Sequence, residues 1–283
     1  MRPERQSRRL YGITRSKGKM FEYNVPTNEH IVIPKGSVPD ELFLLTVGIL
    51  GDEAAHLTDD AIDSNSSAIK QAFVHDVEAL RFSANFLDAY LNSQLAISLR
   101  IDVILLAAAT FYLADRPGSA QVLANRALEG SAEDPLAEVL RWLVVGDWSF
   151  YFTDLEGRYG ADLVVLSNAI ALYFADGSGL QDIRDSCYRL RLFAYRSGTP
   201  RELLLIDAIS AISLTRIKNS SWQSLPRYSN LDADIWRETL SKPSFMKELW
   251  PAQHLLGINN VFAGQSAVVR MPTSAGNLVL WLL

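Results

Sequence analysis

The stretch that settles the fold class is IDVILLAAATFYLADRPGSAQVLANRALEG, Ile101 to Gly130. Its first half is apolar on every side of a helical wheel, from Ile104 through Ala109 to Leu113. A helix that is hydrophobic all round belongs in an interior. With Leu95 ahead of it, the run Leu95 to Leu113 reads as a central buried helix, too short to span a bilayer comfortably. Pro117-Gly118 breaks it. Ser119 to Leu128 then resumes as a short helix whose alanines permit close packing. Helices joined by short Gly/Pro turns pair antiparallel, and the expectation is an α-helical array.

The same pattern extends in both directions. Downstream, Asp134-Pro135 is an N-cap followed by an N1 proline, opening a helix through Val145 that Gly146-Asp147 ends. Leu163 to Phe174, Leu180 to Tyr195 and Glu202 to Ile217 follow, with Gly177-Ser178-Gly179 and Ser197-Gly198-Thr199-Pro200 between them. Thr199 can cap the last of these and Pro200 can take N1. Upstream, Ser66 or Ser67 starts a long helix in which Ile69, Phe73, Val77, Leu80, Phe86, Leu87 and Leu91 lie near i, i+4, i+7 spacing. Asp40 caps another, expected to end near Gly51-Asp52. The run ADRPGSAQVLANRALEG has a tetratricopeptide flavour, but one unit without a matching second is not a repeat.

Four regions result. Residues 1–38 form a basic tail and an extended arm, with short strands expected in Phe21–Val25 and Ile31–Ile33. Residues 39–218 form the helical domain. Residues 219–242 are polar, contain Pro226, and read as a linker with one short helix, Asp232 to Leu240. Residues 243–283 form a distinct terminal segment.

Bulk properties narrow the classes. Of 283 residues, 48% are hydrophobic and 21% charged, so a sizeable core can be buried. The formal net charge of −5 argues against a nucleic-acid binder held by overall charge. Local patches stay open: Arg2, Arg5, Arg8, Arg9, Arg15, Lys17 and Lys19 form either a solvated tail or a phosphate-contacting arm. Cys187 is the only cysteine, which excludes an internal disulfide and a Cys-rich zinc site. With no signal-peptide pattern and no long apolar run, a cytoplasmic location is expected.

The terminal segment, ELWPAQHLLGINNVFAGQSAVVRMPTSAGN (Glu248 to Asn277), carries the one suggestion of particular chemistry. It reads as a short helix with Pro251 and Gln253, a turn, a strand from Ser266 to Met271, and the small-residue loop Pro272-Thr273-Ser274-Ala275-Gly276. Small residues let successive backbone N–H groups converge on phosphate oxygens. Leu249-Trp250-Pro251-Ala252-Gln253, followed by that loop, resembles the start of the motor core in superfamily 2 helicases of the DEAD/DEAH-box class. The resemblance implies a truncated RecA-like α/β domain that uses ATP and Mg²⁺. It implies that Gln253 reads the adenine edge, that Trp250 walls the base pocket, and that Pro272 to Asn277 cradle phosphates. The family places lysine and then Thr or Ser after the glycine, where this chain has Asn277 and Leu278. Neither supplies the charge or the hydroxyl that ATP and Mg²⁺ require. The expectation is a chain that ends inside the nucleotide motif and is inactive as an ATP hydrolase. DNA or RNA is the implied substrate. The long helical N-terminal region and Ser16–Pro34 resemble bacterial genome-defence helicases, including the Hachiman type, which implies a partner nuclease or nucleic acid for the helical domain. A non-enzymatic helical interaction module and a small-molecule-binding regulator are the rival readings.

Weaker signals have plain explanations. Asp52-Glu53-Ala54-Ala55-His56 has one residue too many for a DEAH box and lies ahead of the loop, so it reads as a polar helix terminus. His30, His56, His75 and His254 lack metal-ligand spacing. Asp59-Asp60 and Glu133-Asp134 read as solvated helix-start acids. Arg184, Arg189, Arg191, Arg196 and Arg201 form a basic cluster, read either as an ion-paired face or as a nucleic-acid or partner contact. Cys187 reads as a packed thiol.

Overall fold

The computed structural model describes Pro26 and residues 39–62, 77–92, 101–127 and 134–268. The expected arm, the expected start of the helix after Ser66, and the loop Pro272 to Asn277 lie outside these residues.

Eleven α-helices make up the described architecture, and no β-strand occurs among the described residues. They are α1 (Pro39–Ile62), α2 (Val77–Leu91), α3 (Ile101–Leu113), α4 (Pro117–Arg126), α5 (Pro135–Val145), α6 (Gly160–Asp176), α7 (Leu180–Ser197), α8 (Pro200–Lys218), α9 (Ser221–Ser229), α10 (Ala233–Ser241) and α11 (Pro251–Ile258). A 3₁₀ turn, Val261–Ala263, follows.

The helix boundaries follow local chemistry. Asp134 Oδ1 accepts from the Leu136 N–H at 3.0 Å, Pro135 takes the first helical position, and Gly146 closes α5 at φ 75°. Thr199 and Glu202 form a full capping box at the start of α8, with Pro200 inside it. These ends match the sequence expectation. Two others differ. Pro117-Gly118 is the first turn of α4, because a proline at N1 starts a helix as readily as it stops one. Gly51-Asp52 does not end α1, which continues to Ile62. A Cβ on Gly51 would lie 3.3 Å from Leu204, so the glycine is a point of close approach to α8, while Ala54, Ala55 and Thr58 continue the buried face. Asp52 to His56 therefore lie within a helix and not at its end.

The central helix is α8. It packs against α1, α3, α5 and α7, and Leu205, Ile206, Ala208, Ile209, Ala211, Ile212 and Leu214 are all buried. The helix α3, apolar from Val103 onward except for Thr110, lies beside it and also contacts α2, α4 and α5. Around this pair runs one continuous core that includes Leu80, Leu105, Leu140, Leu163, Ile170, Phe174 and Leu190.

Two arginine clamps set the helices around that core. Arg191 of α7 reaches Asp207 of α8 and Asp59 of α1, both at 2.7 Å, and the Tyr195 hydroxyl donates to Asp207 at 2.9 Å. Arg201 of α8 pairs bidentately with Asp102 of α3, at 2.8 and 3.0 Å, and contacts the cap residue Asp134.

Residues 219–242, expected as a linker with one helix, hold α9 and α10. Trp222, Leu225 and Tyr228 recur at helical spacing, as do Trp236 and Leu240. With Leu249, Phe245 and Phe262 they build a second, smaller core. That spacing was the available signal, and Pro226 with the Ser/Asn clusters masked it. Ser266 to Val268 have no regular secondary structure and are exposed; the remainder of the expected strand lies outside the described residues.

Because Ile209 is fully buried where α8 meets its neighbours, Ile209→Ala is expected to lower the unfolding free energy by about 2–5 kcal/mol. Urea titration followed by far-UV circular dichroism checks it.

Candidate functional site

The terminal segment doubles back onto the junction of α8 and α9. The Leu249 N–H donates to the Asn219 carbonyl and the Ser221 N–H donates to the Lys247 carbonyl, both at 2.9 Å. This short antiparallel bridge places Glu248 opposite Ser220 and turns its side chain into the protein.

There Glu248 meets Arg216 and Tyr112. Arg216 is 3% exposed and Glu248 8% exposed, so the pair lies out of water. Arg216 Nη1 donates to one carboxylate oxygen and the Tyr112 hydroxyl donates to the other. Arg216 Nη2 donates to the Val144 carbonyl at 2.7 Å. The guanidinium also lies over two rings, 4.7 Å from the centroid of Tyr112 and 5.2 Å from that of Trp148. Trp148 is backed by Phe174, stacked at 4.4 Å. Gly146 leaves the room for this: at φ 75° it closes α5, and a Cβ there would fall 2.9 Å from Arg216 Nη1. Burial pushes the Glu248 carboxyl up, and the charge of Arg216 and the hydrogen bonds from Tyr112 and Asn219 pull it back. Burial and the neighbouring carboxylate keep the Tyr112 phenol protonated, well above its ordinary range.

Beyond Glu248 the chain enters α11. Leu249 is buried, Trp250 precedes the helix with its ring against Gly118 of α4, and Pro251 takes N1. Gln253 sits at N3, 4% exposed; its Oε1 accepts from the Trp250 N–H at 2.6 Å and its Nε2 lies 3.1 Å from the Met246 sulfur. The amide expected to read adenine is therefore directed inward, where it caps its own helix. Reading a base edge requires Gln253 to leave both contacts. Of the residues expected to bind a nucleotide, Trp250, Pro251 and Gln253 are brought together at this helix start. Pro272, Thr273, Ser274, Ala275, Gly276 and Asn277 lie outside the described residues.

Helix α11 is held closely by Tyr228. A Cβ on Gly257 would fall 2.2 Å from that ring, so only glycine permits the approach. The Tyr228 hydroxyl and His254 Nδ1 are 3.0 Å apart. Burial lowers the His254 pKa, opposed by the Leu249 carbonyl and Asp115 and reinforced by Lys218 and Arg227, so neutral imidazole is favoured.

The basic cluster around α7 is divided. Arg191 and Arg201 are the clamps described above, and Arg189 lies 4.0 Å from Asp162. Cys187 is fully buried and its thiol is pushed up to about 12, so it is a packing residue. Among the described residues, no group of three His, Cys, Asp or Glu side chains could hold a metal ion, and no helix is long and apolar enough to cross a membrane. No protein-family model matches the chain, and no curated protein or solved structure is detectably similar to it.

The cluster around Arg216 was missed at the level of sequence. Neither Arg216 in an apolar helix nor Glu248 before Leu249 is unusual alone, and their separation along the chain hides the pairing.

Two outcomes follow from this geometry. Arg216→Met leaves Glu248 buried and unpaired, and should cost about 3–5 kcal/mol of stability, whereas Arg216→Met with Glu248→Leu should recover most of that loss. Chemical denaturation of the four combinations measures the coupling. For His254 the folded pKa lies below the unfolded value, so its contribution is present above about pH 6.5 and is lost as pH falls through the folded value. His254→Gln should flatten the part of the stability–pH curve below neutrality, read as urea midpoints at pH 7 and pH 5.

Proposed function

We propose that the helical body is an accessory region of a superfamily 2 nucleic-acid motor protein and that Leu249 to Gln253 opens its motor segment. The observation that supports this is the local fold of the pentapeptide. The order Leu-aromatic-Pro-x-Gln forms a compact helix start, with the glutamine at N3 and the tryptophan at the entry, immediately after the residue that anchors it to the body. In this reading ATP and Mg²⁺ belong to the intact motor, Pro272 to Asn277 stand where its phosphate loop would be, and DNA or RNA is the track. The buried Glu248–Arg216 pair would hold the motor segment and the helical body as one mechanical unit, so that movement of one is felt by the other. A partner nuclease would dock on the helical body.

A second reading, a non-enzymatic interaction module, draws on a different observation. Tyr188, Leu192 and Tyr195 recur along one face of α7 and are 53%, 36% and 46% exposed. Aromatic side chains on a rigid helix suit a protein partner.

A fluorescent-ATP titration separates the two. The chain itself should show no saturable Mg²⁺-dependent binding, because Asn277 and Leu278 replace the two ligating side chains. Asn277→Lys with Leu278→Thr should gain such binding without turnover. If that variant also fails to bind, the nucleotide-loop reading of Pro272 to Asn277 is lost.

A further inference from the structure

A cavity of about 460 Å³ opens on the side of α8 that faces the ends of α1, α3 and α7. That volume lies within the range of small-molecule sites. Its walls are aliphatic: Leu57 of α1, Leu113 of α3, Leu180 of α7, and Leu214 and Ile217 of α8. The polar groups gather at its rim. Arg184 of α7 and Lys218 at the end of α8 contribute positive charge, Asp115 contributes one negative charge, and Thr215, Asn219 and Gln223 contribute hydroxyl and amide groups. Arg184 and Lys218 make no ion pair among the described residues, in contrast to Arg191, about two turns further along α7, which pairs with two carboxylates.

We infer that this cavity binds a small amphipathic carboxylate, an aliphatic or aromatic body seated on the leucine and isoleucine walls with its anionic head between Arg184 and Lys218. The division of labour follows from the lining. Aliphatic walls gain from burying an apolar body. Two cations against one acid leave the rim with a net positive charge, which prefers an anion over a neutral head or a cation. The Thr215 hydroxyl can add a hydrogen bond to the head group, while the Asn219 amide serves Glu248 and Tyr112 and the Gln223 amide serves Tyr173. This inference is independent of the motor reading and stands or falls without it.

The site adjoins the buried lock. Leu113 and Asp115 flank the helix end that bears Tyr112, and Ile217, Lys218 and Asn219 directly follow Arg216.

The test uses the full chain with ¹³C-labelled leucine and isoleucine methyl groups. Octanoate and 1-naphthoate are titrated in, with 1-octanol and 1-naphthalenemethanol as the uncharged counterparts. Saturable shifts confined to methyls of Leu57, Leu113, Leu180, Leu214 and Ile217 are expected, with a Kd below about 1 mM for a ligand of this size. The alcohols should bind at least about tenfold more weakly, and Arg184→Glu with Lys218→Glu should weaken carboxylate binding by at least that factor; at 25 °C a tenfold change is about 1.4 kcal/mol. Both substitutions lie at the rim, away from the core, and a retained thermal melting profile verifies the fold. Leu180→Trp, which fills the cavity from its wall, should abolish the shifts. Equal binding of acid and alcohol, unchanged affinity in the charge-reversed variant, shifts spread over the whole protein, or no saturable binding at all would each overturn the assignment.

Discussion

The structure turns on a carboxylate and a guanidinium that meet out of water. Glu248 and Arg216 are almost wholly buried, and among the described residues neither makes another ion pair. A buried charge without its counter-charge is costly, while a paired one is roughly neutral against apolar side chains of the same size. The pair therefore adds little net stability, but it makes a single docking of the terminal segment far better than any alternative. Segments that merely slide along the α8–α9 junction would strand one charge. The surrounding features serve the same end. Gly146 makes room for the guanidinium, Trp148 and Tyr112 offer it their ring faces, and Val144 takes its remaining terminal nitrogen.

Arginine recurs as the joining element across the helical body. Arg191 gathers α1, α7 and α8, and Arg201 gathers α3, α8 and the start of α5. Each reaches across helices distant in sequence, which a planar guanidinium with five donors can do and a lysine cannot. A chain with a net charge of −5 uses these arginines internally, which leaves less positive surface than its sequence suggests. The rim of the α1–α3–α7 cavity is an exception, where Arg184 and Lys218 make no ion pair among the described residues.

The inward turn of Gln253 also bears on the motor reading. A glutamine placed for base recognition must present its amide to a ligand, and here that amide completes the first turn of α11. A loaded nucleotide site would thus begin with a rearrangement of the same helix start that Glu248 anchors, one residue before Leu249. Anchor and candidate nucleotide residue lie five residues apart, and between them the Leu249 N–H is bonded to the Asn219 carbonyl.

Sequence alone determined the helical class, the burial of α3, the capping of α5 and α8, and most of the helix limits from Pro135 to Lys218. These depend on interactions within a few residues, such as Asp134 with Leu136 or Thr199 with Glu202, and on apolar periodicity. Where a residue's meaning depended on a distant neighbour, local reading failed. Gly51 looked like a helix end because its close approach to Leu204 was invisible. Residues 219–242 looked like a linker because the second core that holds α9 and α10 is completed by Leu249 and Phe262 from further along the chain. The arginine cluster, the Glu248 lock and the carboxylate cavity likewise exist only once helices far apart in sequence are brought together. Burial and charge pairing are properties of the space between helices, and only the tertiary structure defines that space.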